Sequence, residues 1–179
     1  DQSNELKVAY DTTHYMRFAY KNYEPLKDNY ERLLLEMNDR LNKRWKLSIN
    51  IEEIKDTILK YTNINNSIVY DSIMRSFLKI NDDNIRWADR TVLRWGGIKP
   101  FLEMFPKGKV ILNYRDPRAV LASYKLSTYL PEPMYLDIIF STLSLFNFIA
   151  SLGDASNRVH LIKYEDLIEK PEYIIKKAS

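Results

Sequence analysis

The 179-residue chain contains no cysteine. Disulfide frameworks, thiolate zinc centres and cysteine nucleophiles are therefore excluded. With only two histidines, a histidine-rich metal centre is a poor reading as well. Glycine is scarce too, confined to Gly96, Gly97, Gly108 and Gly153. None of them builds a glycine-rich phosphate loop, because Trp95-Gly-Gly-Ile98 has neither the spacing nor the strand-then-helix context. Neither sign of charge dominates: 27 Lys and Arg against 24 Asp and Glu leave +3. That excess is too small for a general nucleic-acid binder, yet it leaves room for a local anion site. The most apolar stretch, Met134 to Leu152, approaches a membrane-spanning length. It carries Asp137, Asn147 and serines 141, 144 and 151, and a charge near mid-bilayer costs several kcal/mol. A buried helix is expected there, not a membrane span. The opening Asp1-Gln-Ser-Asn-Glu5 lacks the basic-then-apolar succession of a signal peptide. The expected compartment is the cytoplasm, or the Golgi lumen if a targeting end is missing.

What is present is ordinary globular composition, 45% apolar and 28% charged, with no repeat or Gly/Ser linker to mark a boundary. One domain over residues 1–179 is expected. The first half reads as helical. Leu34, Met37, Leu41 and Trp45 keep helical spacing through a charged segment. Asn50 followed by Glu53 looks like a capping box ahead of Ile51, Ile54 and Ile58. Val69, Ile73, Phe77 and Ile80 form a third stripe. In the second half, Lys109-Val-Ile-Leu-Asn-Tyr114 is a short run between Gly108 and Asp116-Pro117, and it reads as a buried strand. Asp116 caps, and Pro117 opens, a helix to about Lys125. The apolar helix follows, then a strand over Arg158–Tyr164 and a terminal helix from Pro171. This order implies parallel crossovers, hence an α/β fold with a parallel sheet and a helix-rich first half.

The sharpest feature is Arg115-Asp-Pro-Arg-Ala-Val-Leu-Ala-Ser123. It places an arginine at the carboxyl end of a strand and directly before a helix start, the edge where open α/β sheets bind ligands. A helix N-terminus offers N–H donors and a partial positive charge to a phosphate. Arg115 can grip such a group with two hydrogen bonds, and the Ser123 hydroxyl is a candidate neutral donor. From Lys107 to Lys125 the charges are Lys107, Lys109, Arg115, Arg118 and Lys125 against Asp116 alone. The competing reading pairs Arg115 with Asp116 or another carboxylate and leaves Ser123 to packing.

The run Phe105 to Tyr124 resembles the 3′-phosphate-binding segment of sulfotransferases that use 3′-phosphoadenosine 5′-phosphosulfate (PAPS). Tyr164-Glu-Asp-Leu-Ile-Glu-Lys-Pro171 is similar to that family's later strand end, and Trp87-Ala-Asp-Arg-Thr91 resembles its short Asp-Lys-Thr element, with Arg90 in place of lysine. His14-Tyr-Met-Arg-Phe18 is a weaker echo. The resemblance implies a P-loop nucleoside-triphosphate-hydrolase-like sulfotransferase fold. It also implies PAPS as donor and 3′-phosphoadenosine 5′-phosphate (PAP) as product, with no metal. Arg115 and Ser123 would then hold the 3′-phosphate, and Tyr164 would border the adenine. The acceptor would be a small molecule, carbohydrate or peptide. The family's glycine-containing 5′-phosphosulfate loop and its C-terminal 3′-phosphate contacts have no counterpart here, so the expectation is a partial sulfotransferase domain.

Sulfuryl transfer needs cations on the leaving phosphate and a base for the acceptor proton. His14 is one candidate base, with an ordinary pKa near 6.5; a structural histidine on an aromatic segment is the alternative. Asp89 is the rival, unless it caps a helix or pairs with Arg90. Arg90 either meets the sulfuryl group or pairs with Asp89, and His160 reads as a strand histidine. Tyr10, Tyr15, Tyr20 and Tyr23 with Arg17 and Lys21 either line an acceptor cleft or pack in the core. Two further readings compete. One is a nucleotide-kinase-like phosphoryl transferase, which needs a Gly-Lys-Ser/Thr loop and a magnesium carboxylate. The other is a non-catalytic module that binds adenosine bisphosphate or a protein.

Overall fold

A computed structural model describes residues 5–10, 12–90, 95–126 and 135–178. Its contacts group the chain into two compact units, Asp1–Leu93 and Arg94–Ser179.

In the first unit, β1 (Leu6–Tyr10) lies parallel to β2 (Arg86–Arg90), with Leu6 opposite Arg86 and Tyr10 opposite Arg90. Between them run α1 (Tyr15–Phe18), α2 (Leu26–Trp45), α3 (Ile51–Ile58) and α4 (Asn66–Leu78). Helix α2 buries Leu26, Tyr30, Leu33, Leu34, Met37 and Leu41, a stripe at three- and four-residue spacing. Trp45, expected on that stripe, is 42% exposed and lies beneath the Arg44 guanidinium instead. Asn50 caps α3 by accepting the Glu53 N–H, and Ile54 and Ile58 are buried behind it. Asn65 caps α4, accepting the N–H groups of Ser67 and Ile68. Val69 and Ile73 are fully buried there.

Strand β1 escapes a helical reading of the first half. Leu-Lys-Val-Ala-Tyr is a short strand with a charged residue, Lys7, at its second position, and lies in a half otherwise patterned for helices. The Lys7 ammonium is used, not solvated: it donates to the carbonyls of Leu78 and Lys79 at 3.1 and 2.8 Å. A cation on the exposed carbonyls of a helix end is favoured both by hydrogen bonding and by the helix dipole.

In the second unit, β3 (Val110–Tyr114) and β4 (Val159–Lys163) are parallel, from Val110 opposite Val159 to Tyr114 opposite Lys163. The crossover runs through α6 (Pro117–Lys125) and α7 (Tyr135–Ala150), after α5 (Ile98–Met104); α8 (Tyr164–Glu169) and α9 (Pro171–Ala178) follow. Both strands, the Pro117 helix, the apolar helix and the Pro171 helix lie where the residue pattern put them, but neither the apolar helix nor β3 is buried as expected. Helix α7 buries only the face of Ile138, Leu145 and Phe148 and exposes Leu136, Ile139, Phe140, Leu143 and Phe146, and β3 exposes Ile111. The strands form two separate two-stranded parallel pairs among the described residues, so the α/β character is present without one continuous sheet. The core gathers Ile98, Leu102, Leu112, Leu145, Phe148, Leu152 and Val159. Gly108 is needed at the turn into β3, because a Cβ there would sit 2.9 Å from the Phe105 carbonyl oxygen. Arg158 closes the end of α5, its Nη1 donating to the carbonyls of Leu102, Phe105 and Pro106 at 2.9–3.2 Å. Among the described residues no helix is long and apolar enough to cross a membrane.

Two leucines of α2 give a direct check on which face holds the first unit together. Leu33 is fully buried, whereas Leu35 is 59% exposed. Leu33→Ala is expected to lose about 3 kcal/mol in urea denaturation, against less than about 0.5 kcal/mol for Leu35→Ala. Equal losses would mean that the buried face is wrongly assigned.

Candidate functional site

The parallel register places the carboxyl ends of β3 and β4 side by side, since Tyr114 faces Lys163. The next residue on each strand therefore meets the other: the Arg115 guanidinium lies over the Tyr164 ring, 4.8 Å from its centroid. Arg115 is exposed and makes no ion pair among the described residues. Beside it opens a groove of about 500 Å³ lined by Tyr114, Arg115, Asp116, Arg118, Thr142, Phe146 and Lys163, with Pro117 and Leu145.

Asp116 does not pair with Arg115. Its carboxylate takes the Arg118 amide at 2.8 Å and the Arg118 guanidinium at 2.6 Å. Those bonds to Arg118, side chain first and amide second, pull the Asp116 pKa down to about 2. The Asp116 N–H in turn donates to Glu165 Oε1 at 3.1 Å. That bond, with a second from Glu165's own amide, holds the Glu165 carboxyl below the usual range. The β3–α6 turn is thereby tied to the start of α8. The same bonds use up two of the amides that the start of α6 was expected to offer a phosphate. The positive charge left facing this groove is that of the side chains of Arg115, Lys163 and Arg118. Three cations stand there against Asp116 and Glu165.

The other expected residues are placed as follows. Ser123 is exposed on α6, about 9 Å along the axis from Pro117 at 1.5 Å per residue, and it does not line the groove. Arg118 is 91% exposed and tied to Asp116. In the first unit, His14 is only 6% exposed and adopts the left-handed conformation at the start of α1, with φ 49°. Its carbonyl accepts the N–H groups of Arg17 and Phe18. Asp89 lies in β2, where one oxygen accepts the Tyr70 hydroxyl at 2.6 Å and the Thr13 hydroxyl at 3.2 Å. Arg90 ends β2 and is exposed, and Thr91 lies outside the described residues. His160 faces Ile111 across the β3–β4 ladder. Of the tyrosines considered for an acceptor cleft, Tyr15 and Tyr23 are buried core residues, whereas Tyr10 is 66% exposed. Tyr15 stacks on Tyr70 at 4.3 Å and 7°, and Tyr70 leans on Trp87 at 5.1 Å.

Lys163, Glu165, Thr142 and Phe146 enter the site without having been singled out from the sequence. Glu165 is legible afterwards as the second residue of the Tyr164 block. Thr142 and Phe146 required knowing which face of α7 the groove meets. Among the described residues no group of three or more carboxylates or histidines gathers as a metal site. No protein-family model, curated protein or solved structure matches the chain.

The Asp116–Arg118 clasp is testable by pH. The folded pKa lies below the unfolded value of about 3.9, so its stabilising contribution is complete above about pH 4 and is lost as pH falls through about 2. Carbon-13 NMR of the Asp116 carboxyl is expected to titrate near 2. In Arg118→Ala the midpoint should rise towards the unfolded value but stay below it, because the amide of residue 118 still donates to the carboxylate. An unmoved midpoint would show that Arg118 is not the cause.

Proposed function

We propose that the Arg94–Ser179 unit binds a nucleotide carrying a ribose 3′-phosphate, and that the chain is part of a PAPS-dependent sulfotransferase. The observation that carries this reading is the Arg115 guanidinium. It stands at the carboxyl edge of a parallel strand pair, without an ion pair, against an aromatic ring and open to a groove. A planar cation so placed presents its remaining N–H groups to a tetrahedral oxyanion in a two-point grip that a lysine cannot reproduce. Lys163, on the neighbouring strand end, adds a second positive charge. The Tyr164 ring, already covered on one side by Arg115, borders the place where a purine attached to that phosphate would lie. Ser123 would complete the grip only by reaching in from α6.

On this reading the bound nucleotide would supply an SO₃ unit to an acceptor hydroxyl or amine. The chain's own contribution would be to orient the donor through Arg115 and to accept the acceptor's proton. His14 and Asp89 are the candidates for that proton. Their surroundings favour the second reading, a nucleotide-binding module without transfer chemistry. His14 is buried, and the Asp89 carboxylate takes hydroxyl hydrogens from Tyr70 and Thr13. One oxygen of that carboxylate is already engaged as an acceptor by both hydroxyls.

Calorimetry separates these cases. Adenosine 3′,5′-bisphosphate should bind at least about tenfold more tightly than AMP, since one charge-assisted contact to the extra phosphate is at stake. The preference should vanish in Arg115→Ala and survive only in part in Arg115→Lys. Equal affinity for the two nucleotides would sink the proposal. If binding holds, transfer from PAPS to a panel of acceptors decides between enzyme and module. For the enzyme, His14→Ala is expected to lower turnover without weakening bisphosphate binding. Unchanged turnover would hand the proton to Asp89 or to another group.

A further inference from the structure

The first unit carries a second cluster of cations, which stands independently of the Arg115 groove and of the nucleotide reading. The last turns of α2 present Arg40, Lys43 and Arg44 along a groove of about 540 Å³, whose remaining walls are Phe18, Glu36 and Asp39. The Arg40 guanidinium lies over the Phe18 ring at 4.7 Å, and that of Arg44 over Trp45 at 5.2 Å. Arg17 precedes Phe18 in α1 and does not itself line the groove.

The acids of this groove are already committed. Glu36 accepts the Tyr23 hydroxyl and pairs with Arg32 at 3.6 Å, and Asp39 pairs with Lys43 at 2.7 Å. Arg17, Arg40 and Arg44 have no carboxylate partner among the described residues. They are also close enough to oppose one another: the Arg40 pKa is lowered first by desolvation and then by the charges of Arg44 and Arg17. The helix dipole rewards cations in the last turn of α2 and accounts for Lys43 and Arg44. It does not account for Arg40 a turn earlier, nor for Arg17 on α1. Arg40 and Arg44, each resting on a ring and neither paired with the two acids of the groove, leave it cationic, and a bound anion would relieve their repulsion.

We propose that Arg40 and Arg44, supported by the charge of Arg17, form a receptor for a tetrahedral oxyanion, a phosphate or sulfate ester, with Phe18 as the apolar wall for the group that carries it. The forked N–H groups of guanidinium match the oxygens of such an ion. A doubly charged oxyanion offsets more of the mutual repulsion than a carboxylate does.

The test follows the arginine Nε–Hε signals by NMR in full-length Arg115→Ala protein, so that the other groove is removed from the readout. Inorganic sulfate and inorganic phosphate are titrated at constant ionic strength, followed by a sugar sulfate and a sugar phosphate. The expected result is saturable shifts at Arg17, Arg40 and Arg44, with affinity falling about tenfold in Arg44→Gln and again in Arg17→Gln. Both variants leave the Arg40–Phe18 contact in place, so they decide the matter even if Arg40→Gln proves unfolded by circular dichroism. An ester that binds more tightly than its parent ion supports the Phe18 wall, and the tighter of the two esters identifies the source. Equal affinity for ester and ion would overturn the ester assignment. A linear drift shared by all arginines, or affinity unchanged in both variants, would overturn the receptor itself. Neither failure would touch the nucleotide reading, because Arg115 is absent throughout.

Discussion

The chemistry of the second unit rests on how one carboxylate is divided between two arginines. Asp116 lies between Arg115 and Arg118 in sequence, and simple proximity would let it neutralise either. Helix geometry decides the matter. As the residue before Pro117, Asp116 turns its side chain towards the amide two residues on, and the Arg118 guanidinium folds back onto the same oxygens. Arg115 is left with the face of Tyr164. A cation–π contact at an exposed site is worth about 0.5–1 kcal/mol, enough to restrict a side chain and too little to cancel its charge. Arg115 is consequently held in place and still cationic. Had Asp116 chosen Arg115, the groove would face a neutral pair, and an oxyanion would have to break it before binding.

A different economy governs the first unit, where polar groups are spent on architecture. Tyr15 and Tyr70 are stacked in the interior, and burial, the first cause for both, pushes their phenol pKa values up. They stay protonated as donors: Tyr15 to Asn66, Tyr70 to Asp89. Trp87 donates from the other side of the stack to Asp71, which also holds Arg75. β2 is thus fastened to α4 by two hydrogen bonds from aromatic side chains as well as by packing. Buried polar groups satisfied in this way fix one arrangement of strand on helix. That function explains Asp89 without any call on it as a base, and it explains why a strand as short and irregular as Arg-Trp-Ala-Asp-Arg persists.

The elements that were legible from residue types share one property: their signal is local. Asn50 can be read as a cap because the amide it satisfies lies three residues away. Asp116-Pro117 marks a helix start for the same reason, and Val110 to Tyr114 is bounded by its own punctuation. What escaped notice depends on partners far along the chain. Lys7 makes β1 look polar until its contacts at Leu78 and Lys79 are known, more than seventy residues away. The candidate site divides along the same line. Arg115 and its strand end were readable locally; that Tyr164 would lie beneath its guanidinium followed only from the strand register. The loss of helix-start amides to Asp116 and Glu165 was not readable, because Glu165 arrives from the neighbouring strand end.

As proposed anion sites, both cationic grooves answer the same physical problem. A guanidinium kept free for a ligand must be prevented from collapsing onto the nearest carboxylate, yet it must not wander, since fixing a long side chain at the moment of binding costs entropy. Supplying a carboxylate fixes it but removes the charge. Supplying an aromatic face fixes it while the charge remains. Arg115 rests on Tyr164, Arg40 on Phe18 and Arg44 on Trp45. In each groove the neighbouring acid is occupied by another cation, Asp116 by Arg118 and Asp39 by Lys43. An arginine that serves only packing or solubility has no need of this arrangement, because pairing it with the adjacent acid would stabilise the protein at least as well. The pairing of a ring-seated guanidinium with a pre-satisfied acid is the feature on which both proposed anion sites rest.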